Sequence, residues 1–146
     1  MSLFFIFTKI KIIMLEQLNK VKEFHEGFQQ INGNEPILIT HEEVKLRHRL
    51  MAEENDEYVQ AAIEGIMSAE QRLEGIADAL GDQLYILCGT ILKHGMQHII
   101  EDVFAEIHNS NMSKLNSDGK PLLREDGKIL KGPGYFKPNL KQFIKQ

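Results

Sequence analysis

From Leu15 to His108 apolar side chains recur at intervals of three and four, the spacing that lines up one face of an α-helix. The first run sets Leu18, Val21, Phe24, His25 and Phe28 on one stripe and predicts a helix from about Leu15 to Gln30, ended by Asn32-Gly33-Asn34. After an extended Glu35 to Ile39, Thr40 and Glu43 stand three apart as in a capping box, in which hydroxyl and carboxylate each satisfy an orphan backbone N–H. A second helix should follow to about Glu64, with Gly65 as its stop. Ser68 and Gln71 repeat the signature. Leu73, Ile76, Ala77, Leu80, Leu84, Leu87 and Ile91 then mark one apolar face through to Gly95, predicting the longest and best-buried helix. A fourth helix, Met96 to about His108, is expected to point Ile99, Ile100, Val103, Phe104 and Ile107 inward.

Beyond Asn109 the texture changes. Asp118-Gly119 and Asp126-Gly127 flank Pro121-Leu122-Leu123, and Gly132-Pro133-Gly134 follows. Asp-Gly between short β-capable runs is a hairpin signal, so the tail reads as an irregular arm with at most two short strands. The fold class predicted is all-α: an antiparallel four-helix core carrying an irregular C-terminal arm.

The chain has 146 residues, enough for one core that buries roughly 70% of the surface its unfolded form exposes. Residues 14–146 read as that single domain, and residues 1–13 as an N-terminal extension. The extension is apolar but too short to span a bilayer, is interrupted by Lys9 and Lys11, and lacks a basic start or small-residue cleavage site. No membrane partner is expected. The lone Cys88, set among Leu84, Tyr85, Ile86 and Leu87, reads as a packed thiol and makes the cytoplasm the default location.

Charge divides the chain. Between Arg49 and Lys93 lie the acids Glu53, Glu54, Asp56, Glu57, Glu64, Glu70, Glu74, Asp78 and Asp82, with Arg72 the one base. From Lys114 onward, Lys114, Lys120, Arg124, Lys128, Lys131, Lys137, Lys141 and Lys145 face Asp118, Glu125 and Asp126. A cation site and a phosphate-binding tail divide in this way, as do two solvated surfaces. The tail's lysines are spread singly and its aromatics are few, which argues against a nucleic-acid polymer as partner.

The acidic block has internal order. Glu54 and Glu57 leave one helix face a turn apart, and Glu74, Asp78 and Asp82 share a face of the next helix. Each stripe alone is also what a solvated face looks like, with relief from Arg49 to Glu53 and from Arg72 to nearby glutamates. Against that, Asp78 and Asp82 are interleaved with Ala77, Leu80 and Leu84, and carboxylates near a core need partners. Four carboxylates from two helices offer hard oxygen ligands that suit Mg²⁺ or Mn²⁺. Zinc is disfavoured: His41 and His48 are seven apart, His94 and His98 form a helix-end pair, and there is neither an HExxH motif nor a cysteine pair.

These residues resemble the MazG-like, all-α nucleotide pyrophosphohydrolases, which include phosphoribosyl-ATP pyrophosphohydrolases. Glu53-Glu54-Asn55-Asp56-Glu57 matches the family's EExxE motif. Asp78-Ala79-Leu80-Gly81-Asp82-Gln83-Leu84 keeps the terminal aspartate and the leucine pattern of its partner motif, with Ala79 where a glutamate is usual and Asp78 as the substitute. Glu106 to Lys114 and Asp126 to Pro133 resemble the tail of one branch, so the likeness spans about Leu15 to Leu140.

The resemblance implies Mg²⁺-dependent cleavage between the α- and β-phosphates of a nucleotide, giving a monophosphate and pyrophosphate. It implies Glu54, Glu57, Asp78 and Asp82 as metal ligands and Glu53 as the group that orients water or takes its proton. Asn111, Lys114 and Lys131 are expected on the substrate's phosphates, and a homodimer or dimer of dimers is the implied assembly. The alternative is a helical interaction or nucleotide-binding module that keeps the fold without turnover.

Overall fold

The computed structural model describes residues 3–63 and 65–144, with side chains from Met14 onward. Its elements are α1 (Leu3–Gly27), α2 (His41–Ile63), α3 (Ala69–Lys93), α4 (Ile100–Met112) and a 3₁₀ turn, Leu140–Phe143. The chain is all-α, with four α-helices and no named strand among the described residues. It divides into two compact units, Met1–Gln97 and His98–Gln146.

In the first unit α2 and α3 run antiparallel, and side chains reaching to backbone oxygens fix their register. Arg47 donates from Nη2 to the Ile86 carbonyl at 2.7 Å and from Nε to Thr90 Oγ1 at 3.0 Å. Gln83 Nε2 donates to the Glu54 carbonyl at 3.2 Å. Arg72 Nε donates to the Ala61 carbonyl at 3.1 Å, and its Nη2 to that of Ala62. Small residues let the backbones approach: Ala79 is 1% exposed, and a Cβ on Gly75 would stand 3.0 Å from that of Ala61.

Helix α1 lies along α3 in the same direction, so the unit is an up-down-up bundle. Gln17 and Val21 border Gly81 and Cys88, Phe24 meets Tyr85 edge-on with ring centroids 5.7 Å apart, and the N–H of Gly33 donates to the Leu92 carbonyl. The helix begins at Leu3, inside the stretch read as an extension. Met1, Ser2 and the side chains of residues 3–13 lie outside the described residues. Its C-terminus closes earlier than the predicted Asn32-Gly33-Asn34 stop. The N–H of Gln30 bonds the His25 carbonyl and that of Gln29 the Glu26 carbonyl, with Gln29 at φ 56°. That double closure normally takes a glycine, so no residue type announced it.

Buried polar groups knit the three helices at one level. His25, Arg47 and Lys93 are all buried. His25 Nδ1 bonds Asn32 Oδ1 at 2.5 Å and Lys93 Nζ pairs with Glu43 at 2.7 Å. Gly89 makes room for them: a Cβ there would lie 2.7 Å from Arg47 Nη2 and 3.1 Å from His25 Nε2. Of the two predicted capping boxes, Ser68 and Gln71 form theirs in both directions, at 3.0 and 3.2 Å. At Thr40 only half forms, Glu43 N–H to Thr40 Oγ1 at 3.2 Å, because the Glu43 carboxylate turns to the buried ammonium of Lys93.

The expectation for α3 needs correction. Ile91 is buried, but Leu73, Leu80, Leu84 and Leu87 are 42–67% exposed, and the buried positions are Ala79, Cys88, Gly89, Ile91, Leu92 and Lys93. The helix packs through its small-residue seam and, among the described residues, leaves the leucine face about half exposed. Cys88 is packed, as read, and burial pushes its thiol pKa up.

In the second unit α4 starts at Ile100 rather than Met96, and Phe104 and Ile107 are exposed rather than inward. The arm carries one antiparallel bridge, Leu123 with Ile129, so the hairpin signal at Asp126-Gly127 is met by the shortest possible strands. Both Asp-Gly pairs form the same tight turn. Gly119 and Gly127 stand at φ 77° and 82°, and Asp118 and Asp126 accept the N–H of Lys120 and Lys128. Residues 132–139 then fold back along α4: Ser110 Oγ donates to the Phe136 carbonyl at 2.8 Å, and the Asn139 N–H donates to Glu106 at 2.8 Å.

Candidate functional site

The α2–α3 register fixed by Arg47, Gln83 and Arg72 sets Glu54 and Glu57 opposite Asp78 and Asp82. Glu54 occupies the centre. Its Oε2 is buried and has no hydrogen-bond partner. Burial pushes its carboxyl pKa above 4.5, and the charges of Glu57, Asp82, Asp78 and Glu53, in that order, push it further. All five acids singled out in the sequence therefore share one electrostatic neighbourhood.

No base offsets them closely. Arg49 reaches Glu53 at 4.0 Å, on the exposed side. Arg72, expected to relieve nearby glutamates, is instead committed to the carbonyls of Ala61 and Ala62. Those are among the last four carbonyls of α2, which lack intrahelical donors and carry the negative end of the helix dipole. Among the described residues, Glu54, Glu57, Asp78 and Asp82 form no ion pair within 4.0 Å. Nor do three or more such groups close into a ready ligand cage among those residues.

The donor set fits a hard divalent cation. A buried carboxylate oxygen lacking any donor, within the electrostatic reach of Glu57, Asp82, Asp78 and Glu53, is an acceptor in need of positive charge. Ala79 lies in the α2–α3 seam beside this cluster, and its methyl fills the place where the motif usually carries a glutamate. Asp78 is exposed on the flank.

The remaining predicted residues sit together in the second unit. Lys114 Nζ donates to Asn111 Oδ1 at 2.7 Å, and Lys131 Nζ rests 4.4 Å from the centroid of the Tyr135 ring. The N–H of Gly132 donates to the Lys114 carbonyl at 3.0 Å, which ties the two lysine segments to each other. Sequence reasoning missed Arg47, Gln83, Gly132 and Tyr135. Gln83 was findable as the neighbour of Asp82 inside the second motif. Arg47, two turns before Glu54, was findable as a base on the inward heptad position.

No curated protein matches the sequence. Among solved structures, the chain is similar to the crystal structure of a candidate NTP pyrophosphohydrolase from Exiguobacterium sp. 255-15. The identity is 26%, over 84% of this chain and 88% of that one, with a TM-score of 0.48. The family model for phosphoribosyl-ATP pyrophosphohydrolase matches residues 21–111, which takes in both acidic motifs, the end of α1, all of α2 and α3 and nearly all of α4. On that match the chain belongs to the phosphoribosyl-ATP pyrophosphohydrolase family.

Proposed function

We propose that this protein is a Mg²⁺-dependent nucleotide pyrophosphohydrolase that cleaves the α–β linkage of a nucleoside triphosphate or a related nucleotide such as phosphoribosyl-ATP. The observation that carries the reading is Glu54: a buried carboxylate oxygen with no donor, its carboxyl pKa raised by burial and then by Glu57, Asp82, Asp78 and Glu53. Glu54, Glu57, Asp78 and Asp82 would hold Mg²⁺, or Mn²⁺ in its place. When bound, such an ion neutralises charge on phosphoryl oxygens as it builds in the transition state.

The reaction joins a water oxygen to the α-phosphorus as the bond from that phosphorus to the bridging oxygen breaks. The electron pair leaves with pyrophosphate, and the water proton must go to a base. Glu53, beside the cluster and largely solvent-exposed, is assigned to orient the water and take that proton. Asn111, Lys114 and Lys131 are assigned to the substrate's phosphates. A cytoplasmic location accords with the packed, unpaired thiol of Cys88. The working form is inferred to be a homodimer or dimer of dimers, on the strength of the half-exposed leucine face of α3.

A second reading, a nucleotide-binding or interaction module without turnover, draws on Ala79, which removes one carboxylate from the usual set. Pyrophosphate release across a panel of nucleotides, with Mg²⁺ and then with a chelator, separates the two. Turnover should require the ion, and Asp82→Asn should reduce it by about 100-fold or more, since even residues behind metal ligands cost 10–100-fold. Absence of release from every nucleotide with either ion leaves the module reading standing.

A further inference from the structure

Between the Arg47 grip at Ile86 and Thr90 and the Arg72 grip at Ala61 and Ala62, the hydrogen bonds that cross from α2 to α3 among the described residues all come from one amide. Gln83 Nε2 stands 3.2 Å from the Glu54 carbonyl oxygen and 3.2 Å from Asn55 Oδ1. Both acceptors lie in the first acidic motif, and Gln83 itself follows Asp82 in the second. The amide therefore ties the backbone that carries Glu54 to the backbone that carries Asp82, at the level of the carboxylates. Ala79, one turn earlier on the same face of α3, is 1% exposed, so the two helices meet closely there.

That level is under load. Glu54 Oε2 is buried and has no donor, and Glu57, Asp82, Asp78 and Glu53 act on its charge. Ionised carboxylates on facing helices repel, which works to part the helices here and to open Glu54 to water. A side chain that donates across the seam opposes that parting. Gln83 does so through a main-chain oxygen, which leaves the Glu54 carboxylate itself free for a ligand role. Groups that orient a metal ligand without touching the ion usually change its affinity about 10–100-fold.

We propose that Gln83 is a positioning residue for the cation site, holding Glu54 at a set spacing from Asp82 in the metal-free protein through its bonds to the Glu54 carbonyl and to Asn55 Oδ1. Asn55 is the second member of this clamp, although it supplies no ligand. The proposal rests on the metal assignment made above and deepens it. The ion meets carboxylates already gathered, so little of its binding free energy is lost to drawing two helices together.

Calorimetric titration of the whole chain with Mg²⁺ and with Mn²⁺, paired with thermal melts in EDTA, tests it. Gln83→Met keeps the length of the side chain and removes the donor. It should weaken binding of both ions about tenfold or more. The midpoint in EDTA should move little, because relief of carboxylate repulsion offsets the lost hydrogen bond. A merely structural role gives the reverse, a lower midpoint in EDTA with unchanged ion affinity, and that result overturns the proposal. Should Gln83→Met fail to fold, Asn55→Ala, at an exposed position, carries the decision. It should weaken binding too, though by less, and wild-type affinity there overturns the clamp. Wild-type protein that binds neither ion removes the metal reading and the proposal together, whereas wild-type binding matched by both variants removes the proposal alone.

Discussion

At the scale of single residues the site turns on Ala79. It lies 1% exposed in the seam between α2 and α3, beside a cluster whose central carboxylate is already hard to ionise. Ala79→Glu is therefore expected to lower metal-free stability by about 1–3 kcal/mol from overpacking, with more from burying a charge. The same change should increase the gain in thermal midpoint on adding Mg²⁺, which contributes about 2.7 kcal/mol at a hundredfold excess over the dissociation constant. Thermal melts of both proteins with and without Mg²⁺ check this, and an identical Mg²⁺ response would show that position 79 does not face the ion. The acidic residues themselves were legible because helical spacing alone places Glu54 with Glu57 and Asp78 with Asp82. What Arg72 and Glu43 do was not legible. Both found partners distant in sequence, a helix end and a buried lysine, and nothing in their own neighbourhoods names those partners.

At the scale of helices, the polar level formed by His25, Arg47, Lys93 and Glu43 couples stability to pH. Burial lowers the His25 pKa from 6.5, and Lys93 and Arg47 lower it further, opposed by the Asn32 hydrogen bond and by Glu43. The folded pKa lies below the unfolded one, so the unfolded chain takes up a proton that the folded chain refuses. Stability from this source is intact above pH 6.5 and is lost progressively as pH falls from 6.5 toward the folded value. Urea midpoints at pH 7.5 and 5.0 should fall for the wild type by more than for His25→Gln. Parallel falls in the two proteins would assign the pH dependence to other groups. Helix positions were readable from the apolar period, with most ends displaced by four residues or fewer, as where α1 closes through Gln29, whereas α1 starts at Leu3 rather than Leu15. Which face of α3 is buried was not readable. The helix carries a small-residue seam and a leucine stripe, and periodicity ranks the larger side chains first although Ala and Gly permit the closer packing.

At the scale of the molecule the leucine stripe bears on assembly. Leu80, Leu84 and Leu87 lie open on α3, with Phe24, Phe28 and Tyr85 also exposed nearby. Light scattering should give at least a dimer at micromolar concentration. Leu84→Glu together with Leu87→Glu should shift the mass toward the monomer, and a wild-type chain that is monomeric under those conditions removes the inferred assembly. Among the described residues no helix is long and apolar enough to cross a membrane.

The grips that hold α2 against α3 have a bearing on inheritance. Arg47, Gln83 and Arg72 each seize a carbonyl of the opposite main chain. Every residue supplies that oxygen, whatever its side chain. Substitutions at positions 54, 61, 62 and 86 thus leave the gripping atoms in place, and the two helices keep their alignment while the chemistry between them drifts. A lineage built this way can exchange a glutamate for an alanine in its reactive centre and still present the surviving carboxylates to each other, so that new substrates are tried without first reinventing the scaffold.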